Sequence, residues 1–192
     1  MTARPVPPLP PEARLTAEEF LTLPEGDRKL ELHDGRVVDV SPASHRHSRI
    51  QKRVLRKLDD WCEARGLNEP LPELPCRLST GRVVVPDVGY VCDPARSLAA
   101  DEAGVLAGPP DLAVEVVSPT DRPADVREKV QWYLDDACPL LWLVDPQRRT
   151  ATIYRPGVAT RHLSEGHALD GEDVLPGLRL PLVDLWGALG PR

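Results

Sequence analysis

Two short β-branched runs, each interrupted by one carboxylate, constrain this chain more than any other feature. The first is VVVPDVGYV from Val83 to Val91, where Asp87 follows a proline. The second is LAVEVV from Leu112 to Val117, with Glu115 in its middle. Apolar runs of this length, bounded by turn residues, read as core strands. Alternation puts Ala113, Glu115 and Val117 on one face of the second strand and Leu112, Val114 and Val116 on the other. An ionised carboxylate is costly to bury without a partner or a metal, so each acid needs a reason to be there. Two such strands could place two oxygens on one divalent cation. Ser118-Pro119 breaks the second strand, and a helical pattern from about Ala124 to Ala137 then carries Lys129.

Length and composition bound the fold. With 192 residues, 41% hydrophobic and 28% charged, the chain is an ordinary globular sequence long enough for one core. Residues 15–192 are expected to form a single domain, and the proline-rich residues 1–14 an extended or disordered arm. No apolar run approaches the roughly 18 residues a membrane helix needs, and the amino terminus lacks a signal core. A cytoplasmic location is the expectation. The four cysteines, Cys62, Cys76, Cys92 and Cys138, have no zinc-ligand spacing and read as free thiols. A net charge of −6 argues against nucleic-acid binding through bulk electrostatics, yet leaves room for local basic stripes. There is no glycine-rich phosphate loop, so no nucleotide cofactor is expected.

Local signals place the remaining elements. Residues 15–23 read as a short helix in which Thr16 and Glu19 form a capping box. Pro24-Glu25-Gly26-Asp27 ends it, and KLELHDGRVVDV follows as a hairpin turning at Asp34-Gly35. Ser41-Pro42-Ala43-Ser44 is a turn and helix entry, followed by an amphipathic helix from about His47 to Ala64 with Ile50, Val54, Leu58 and Trp61 toward the core. Residues 67–75 read as a loop, residues 76–91 as a hairpin turning at Thr80-Gly81, and residues 93–110 as a connection with one helical turn. Later strands are expected from Pro139, across ATIYRPG, and near Thr160 to Ser164. LPGLRLPL completes the sheet, and a closing turn begins at Val183. On the helix carrying Lys129, Val126, Val130 and Tyr133 point to the core, while Asp125, Lys129 and Trp132 share another side.

The ordered motifs resemble the Uma-type restriction-endonuclease family, a branch of the PD-(D/E)XK nuclease superfamily. The resemblance rests on Pro86-Asp87, VEVVSPTDR from Val114 to Arg122, Asp125, Lys129, Tyr133, WLVDP from Trp142 and DVLPGLRLPL from Asp173. ELHDG from Glu31 and SPASHRH from Ser41 extend it to the amino-terminal half. It implies an α/β, restriction-endonuclease-like core, a central mixed β-sheet flanked by helices, and a homodimer. The superfamily's acid-x-Lys strand motif would put lysine at 117, where this chain has Val117. The resemblance implies that Lys129, on the following helix, takes its place, and it brings Glu31 near the metal.

The chemistry implied is phosphodiester hydrolysis of DNA with Mg²⁺ or Mn²⁺, which favour oxygen ligands. Asp87 and Glu115 would be the ligands, with the Val116 carbonyl a possible third. Lys129 would hold the attacking water or the scissile phosphate. Glu31 would serve a second ion or a water, or else be a solvent-facing strand acid. Asp125 would orient Lys129, or the two form an exposed i,i+4 ion pair. His47 and Tyr133 are candidate phosphate contacts, with a capping or core role the alternative for His47. Arg49, Arg53 and Arg56 form a stripe that either meets phosphates or is a solvated helix face. Two other functions share the same residues: a catalytically inactive DNA-binding or protein-interaction module on this fold, and a hydrolase of RNA or small phosphodiesters.

Overall fold

The computed structural model describes residues 13–24, 29–40 and 44–187. The expected arm, apart from residues 13 and 14, lies outside them, as do the Ser41-Pro42-Ala43 turn and residues 25–28. Thr16 caps helix α1 (Ala17–Leu21) through the full capping box with Glu19. The hairpin follows as strands β1 (Leu30–His33) and β2 (Arg36–Asp39). Asp34 and Gly35 both take positive φ, 49° and 79°, the conformation a two-residue hairpin turn requires.

Helix α2 (His45–Glu63) is capped by the Ser44 side chain, which accepts from the His47 N–H. Its core stripe is Ile50, Val54, Leu58 and Cys62, all fully buried. Trp61, expected in that stripe, sits only partly buried at its edge with Arg65 stacked over its ring. Strands β3 (Leu71–Pro72), β4 (Cys76–Arg77), β5 (Val83–Val84) and β6 (Val88–Tyr90) follow. The segment read as a loop therefore carries an edge strand, β3, paired with β6. The connection read as one helical turn is instead the ten-residue helix α3 (Pro94–Ala103), and it leads into β7 (Leu106–Ala107). Next come β8 (Leu112–Val116), α4 (Pro123–Asp135), β9 (Leu140–Asp145), β10 (Thr150–Tyr154) and β11 (Arg161–Leu163). The last elements among the described residues are β12 (Ala168–Asp170), β13 (Arg179–Pro181) and α5 (Leu182–Trp186).

These strands form two mixed sheets and a ribbon. One sheet runs β2–β1–β5–β4–β7, and the other β11–β10–β9–β8–β6–β3. The segment expected to complete the sheet pairs β13 with β12 as a separate two-stranded ribbon instead. Alternation on β8 is as read: Leu112, Val114 and Val116 enter the core under α2 and α5, while Ala113 joins the core under α3 and α4. The β4–β7 and β8–β9 pairings are parallel and the other pairings antiparallel.

The chain passes from one sheet to the other between β5 and β6, a step of only three residues, Val85-Pro86-Asp87. Pro86 has no N–H to give a ladder, which suits a point where one ladder stops and another starts. Asp87 is thereby fixed at the seam between the sheets, beside β1 on one side and β8 on the other. All four cysteines are free, three of them buried. Among the described residues no helix is long and apolar enough to cross a membrane.

Candidate active site

The seam collects three carboxylates from three elements. Glu31 arrives on β1, where it is 1% exposed rather than facing solvent. Its Oε1 accepts the Val85 N–H at 2.9 Å, so the backbone that crosses between sheets also holds this acid. Its Oε2 lies 2.7 Å from His33 Nε2. Asp87 is 3% exposed. Its Oδ2 takes the Val116 N–H at 2.7 Å and His47 Nε2 at 3.0 Å, while Oδ1 takes Lys29 Nζ at 3.0 Å. The first two turns of α2 grip the same residue twice, because Gln51, four residues after His47, donates to the Asp87 carbonyl at 2.9 Å. Glu115 rises from β8, and its Oε1 accepts from the Tyr133 hydroxyl at 2.8 Å.

Lys129 closes the group. Its Nζ lies 2.7 Å from Glu31 Oε1 and 2.8 Å from Glu115 Oε1, bridging the two sheets from α4. Lys129 and Tyr133 are four residues apart, so one face of the helix delivers both to Glu115. Trp132, expected on the polar side, is buried between His33 at 4.6 Å and the Arg82 guanidinium at 4.7 Å. It helps seat the helix against the β1 hairpin.

The electrostatics follow from this packing. Burial pushes Glu31 up, but the Lys129 ammonium, His33 and the Val85 N–H outweigh it and bring the carboxyl down to about 2. Burial likewise opposes the charge on Asp87, yet the hydrogen bond from His47 and the Lys29 ammonium hold it well below the usual carboxylate range. Glu115 goes the other way. Burial, joined by the charges of Asp87 and Glu31, overcomes Lys129 and pushes it up to about 6. Lys129 is raised although burial would lower it, because Glu115 and Glu31 both favour the ammonium. Burial, with Glu115 beside it, also keeps the Tyr133 hydroxyl protonated. Lys129 is therefore a fixed positive charge and not a base.

Glu31, Asp87, Glu115, Lys129, His47 and Tyr133 are thus brought together, with the Val116 N–H on Asp87. The other candidates lie apart from them. Asp125 is exposed, and Lys129 turns to Glu31 and Glu115 instead. Arg49 and Arg56 are exposed on α2. Arg53 donates to the Leu185 carbonyl at 2.5 Å and so ties α2 to α5. Sequence reasoning missed Lys29, His33 and Gln51. Glu31 and His33 on β1, and Lys29 just before it, fall at every second position, so the period of two was the available signal.

A family model described as "Putative restriction endonuclease", Uma2, matches residues 17–183. The chain belongs to the Uma2 family. A crystal structure from Anabaena variabilis ATCC 29413, described as a "putative nuclease", shares the fold with a TM-score of 0.77 and 24% identity. That match covers 90% of this chain and 97% of the other. A second solved structure, a DrdV–DNA complex, gives a TM-score of 0.39 at 17% identity, over 75% of this chain and 14% of that one. No curated protein matches at a significant level. The fold of this Uma2 chain is restriction-endonuclease-like, with mixed sheets flanked by helices. Family membership supports a nuclease function in general terms.

The donor set suits a hard divalent cation. Three oxygen-bearing side chains face two ammonium groups, Lys29 and Lys129, and the two imidazoles already serve the carboxylates. Among the described residues no three His, Cys, Asp or Glu side chains converge as a full metal cage. A magnesium ion bound by one or two carboxylates and several waters needs no such cage.

Proposed function

We propose that this chain is a Mg²⁺-dependent endonuclease that hydrolyses phosphodiester bonds of DNA. The observation that carries the reading is the position of Lys129 Nζ, within 2.8 Å of carboxylates from both sheets. It supports the idea that the helix lysine replaces the strand lysine absent at Val117. Asp87 and Glu115 would hold Mg²⁺, or Mn²⁺, with the Val116 carbonyl as a third oxygen. The bound ion supplies Lewis acidity and lowers the pKa of a coordinated water.

The chain's own groups account for the rest. Lys129, kept protonated, neutralises charge on the phosphate and orients the attacking water without taking its proton. Glu31 fixes the lysine's direction, and Tyr133 fixes that of Glu115. His47 Nδ1 is buried without a hydrogen-bond partner among the described residues and is the ring atom left for a phosphate contact. Arg49 and Arg56 would meet the DNA backbone further out, while Arg53, tied to the Leu185 carbonyl, would hold α2 in place for them, and Asp125 would lie on the exposed face of α4. A single domain over residues 15–192 and a homodimer, which presents one site to each strand by two-fold symmetry, belong to the same reading.

The second reading is an inactive DNA-binding or protein-interaction module. Val117 favours it, as does the neutralisation of the carboxylates by two lysines.

Incubation of duplex DNA with wild type, Asp87→Asn and Glu115→Gln, in Mg²⁺ and in EDTA, separates the two. The endonuclease cleaves only as wild type with metal, while both variants keep their circular dichroism. Equal cleavage by all three would overturn the site. DNA binding that persists in EDTA, without cleavage in any divalent metal, would establish the module. Turnover of RNA alone would overturn the substrate.

A further inference from the structure

The two oxygens of Asp87 are held in different ways. Oδ2 is pinned by the Val116 backbone N–H at 2.7 Å and by the buried ring of His47 at 3.0 Å. Neither donor can leave without moving β8 or α2. Oδ1 takes its hydrogen bond from Lys29 Nζ at 3.0 Å. Lys29 precedes β1, and its side chain is 16% exposed, so a flexible stem brings the ammonium in from the rim. The carboxylate is therefore fixed in direction by its inner oxygen, while its outer oxygen is matched to a cation that can withdraw. Glu115 shows the same asymmetry. Tyr133 and Lys129 both serve Oε1, and no hydrogen bond reaches Oε2 among the described residues.

We propose that Lys29 is a built-in counter-ion for Asp87, exchanged for the divalent cation when the site loads. This inference rests on the reading of Asp87 as a metal ligand. A buried carboxylate left alone in the metal-free protein would be a large liability. The lysine removes that liability, at the cost of competing with the metal for Oδ1. Metal affinity is thus set partly by a residue that is not a ligand. Lys29 is a positioning residue in the metal-free state.

The test uses Mn²⁺ as the probe, in calorimetric titrations of the full chain with no nucleic acid present. Lys29→Met should bind Mn²⁺ at least roughly tenfold more tightly than wild type, the factor a hydrogen bond between charged groups is worth. Its metal-free Tm should fall, and saturating Mn²⁺ should restore more of it than the metal adds to wild type. Lys29→Arg keeps the charge and the contact, so its affinity should stay at or below that of wild type. Arg82→Gln removes a positive charge that pairs with Asp34 and does not touch Asp87, and its affinity should stay within about twofold of wild type. Equal affinity in wild type and Lys29→Met would overturn the exchange, even with Mn²⁺ binding lost in Asp87→Asn and the ligand reading intact. A gain in Arg82→Gln as large as in Lys29→Met would also overturn it, in favour of a diffuse field. Mn²⁺ binding unchanged in Asp87→Asn, or absent from all the proteins, would overturn both the exchange and the metal reading.

Discussion

A carboxylate pushed up to about 6 by burial favours the folded state when protonated, and Glu115 is such a group. Its ordinary value is 4.5, so between 4.5 and about 6 the folded chain binds the extra proton. The penalty for ionising it grows as pH rises through that window and is complete above it. Glu31, brought down to about 2, has the opposite sign, contributing stability above 4.5 that is lost as pH falls toward 2. Glu115→Gln mimics the protonated acid and keeps the Glu31 carboxylate in place. The Tm of Glu115→Gln relative to wild type should therefore climb as pH is raised from about 4.5 to 6, then level off. Scanning calorimetry across that range, without metal, is the check, and a flat difference would refute the raised Glu115. At this scale much of the candidate cluster was legible. Single acids in apolar runs exposed Asp87 and Glu115, because the cost of burial makes such residues conspicuous. Lys29 and His33 escaped notice because polar residues on a short strand beside a turn look like an ordinary solvated edge.

Among the elements, α2 was read well, since a stripe at helical spacing declares its buried face. The exchange of Trp61 for Cys62 at its end is a matter of spacing, because positions 50, 54, 58 and 62 continue one i, i+4 series. Cys62 fits fully inside, whereas the larger indole stays at the rim under Arg65. Helix α3 was underestimated because Ala100 is its only buried residue among those described, so no stripe marks it. Its caps, Asp93 before Pro94 and Gly104 in the left-handed conformation, were the legible signals. Strand β3 escaped because it is two residues long and contains Pro72, tolerated there on a sheet edge. The basic stripe of α2 divides in the same physical terms. Arg53 is spent on the Leu185 carbonyl, while Arg49 and Arg56 point outward. An Arg49→Ala, Arg56→Ala double variant should weaken DNA binding and reduce the slope of log K against log salt by about 2, with Tm nearly unchanged. Arg53→Ala should instead lower Tm by several degrees and leave the salt slope alone. Fluorescence anisotropy over a range of salt, beside thermal melts, decides it. A uniform loss across all three arginines would mean that Arg53 also meets phosphate.

For the whole molecule, the sequence announced strands and helices without their partners, because pairings such as β4 with β7 join residues far apart and leave no local period. The division into two sheets could not be read for that reason. The proposed site lies at their seam and draws Glu31 from one sheet, Glu115 from the other and Asp87 from the link between them. If the chain is a homodimer, each copy brings one such seam, and both strands of a duplex are cut in one encounter. Supercoiled plasmid then passes mainly to linear product with little nicked circle. Mixing wild type with a tenfold excess of Glu115→Gln, after conditions that exchange subunits, puts most active chains into mixed dimers with one working seam. Nicked circle should accumulate at the expense of linear product while total strand cleavage per active chain stays constant. Gel analysis of the product ratio against the mixing ratio gives the answer. A ratio that ignores the inactive partner would mean that each chain cuts alone, and that the second strand waits for a second encounter.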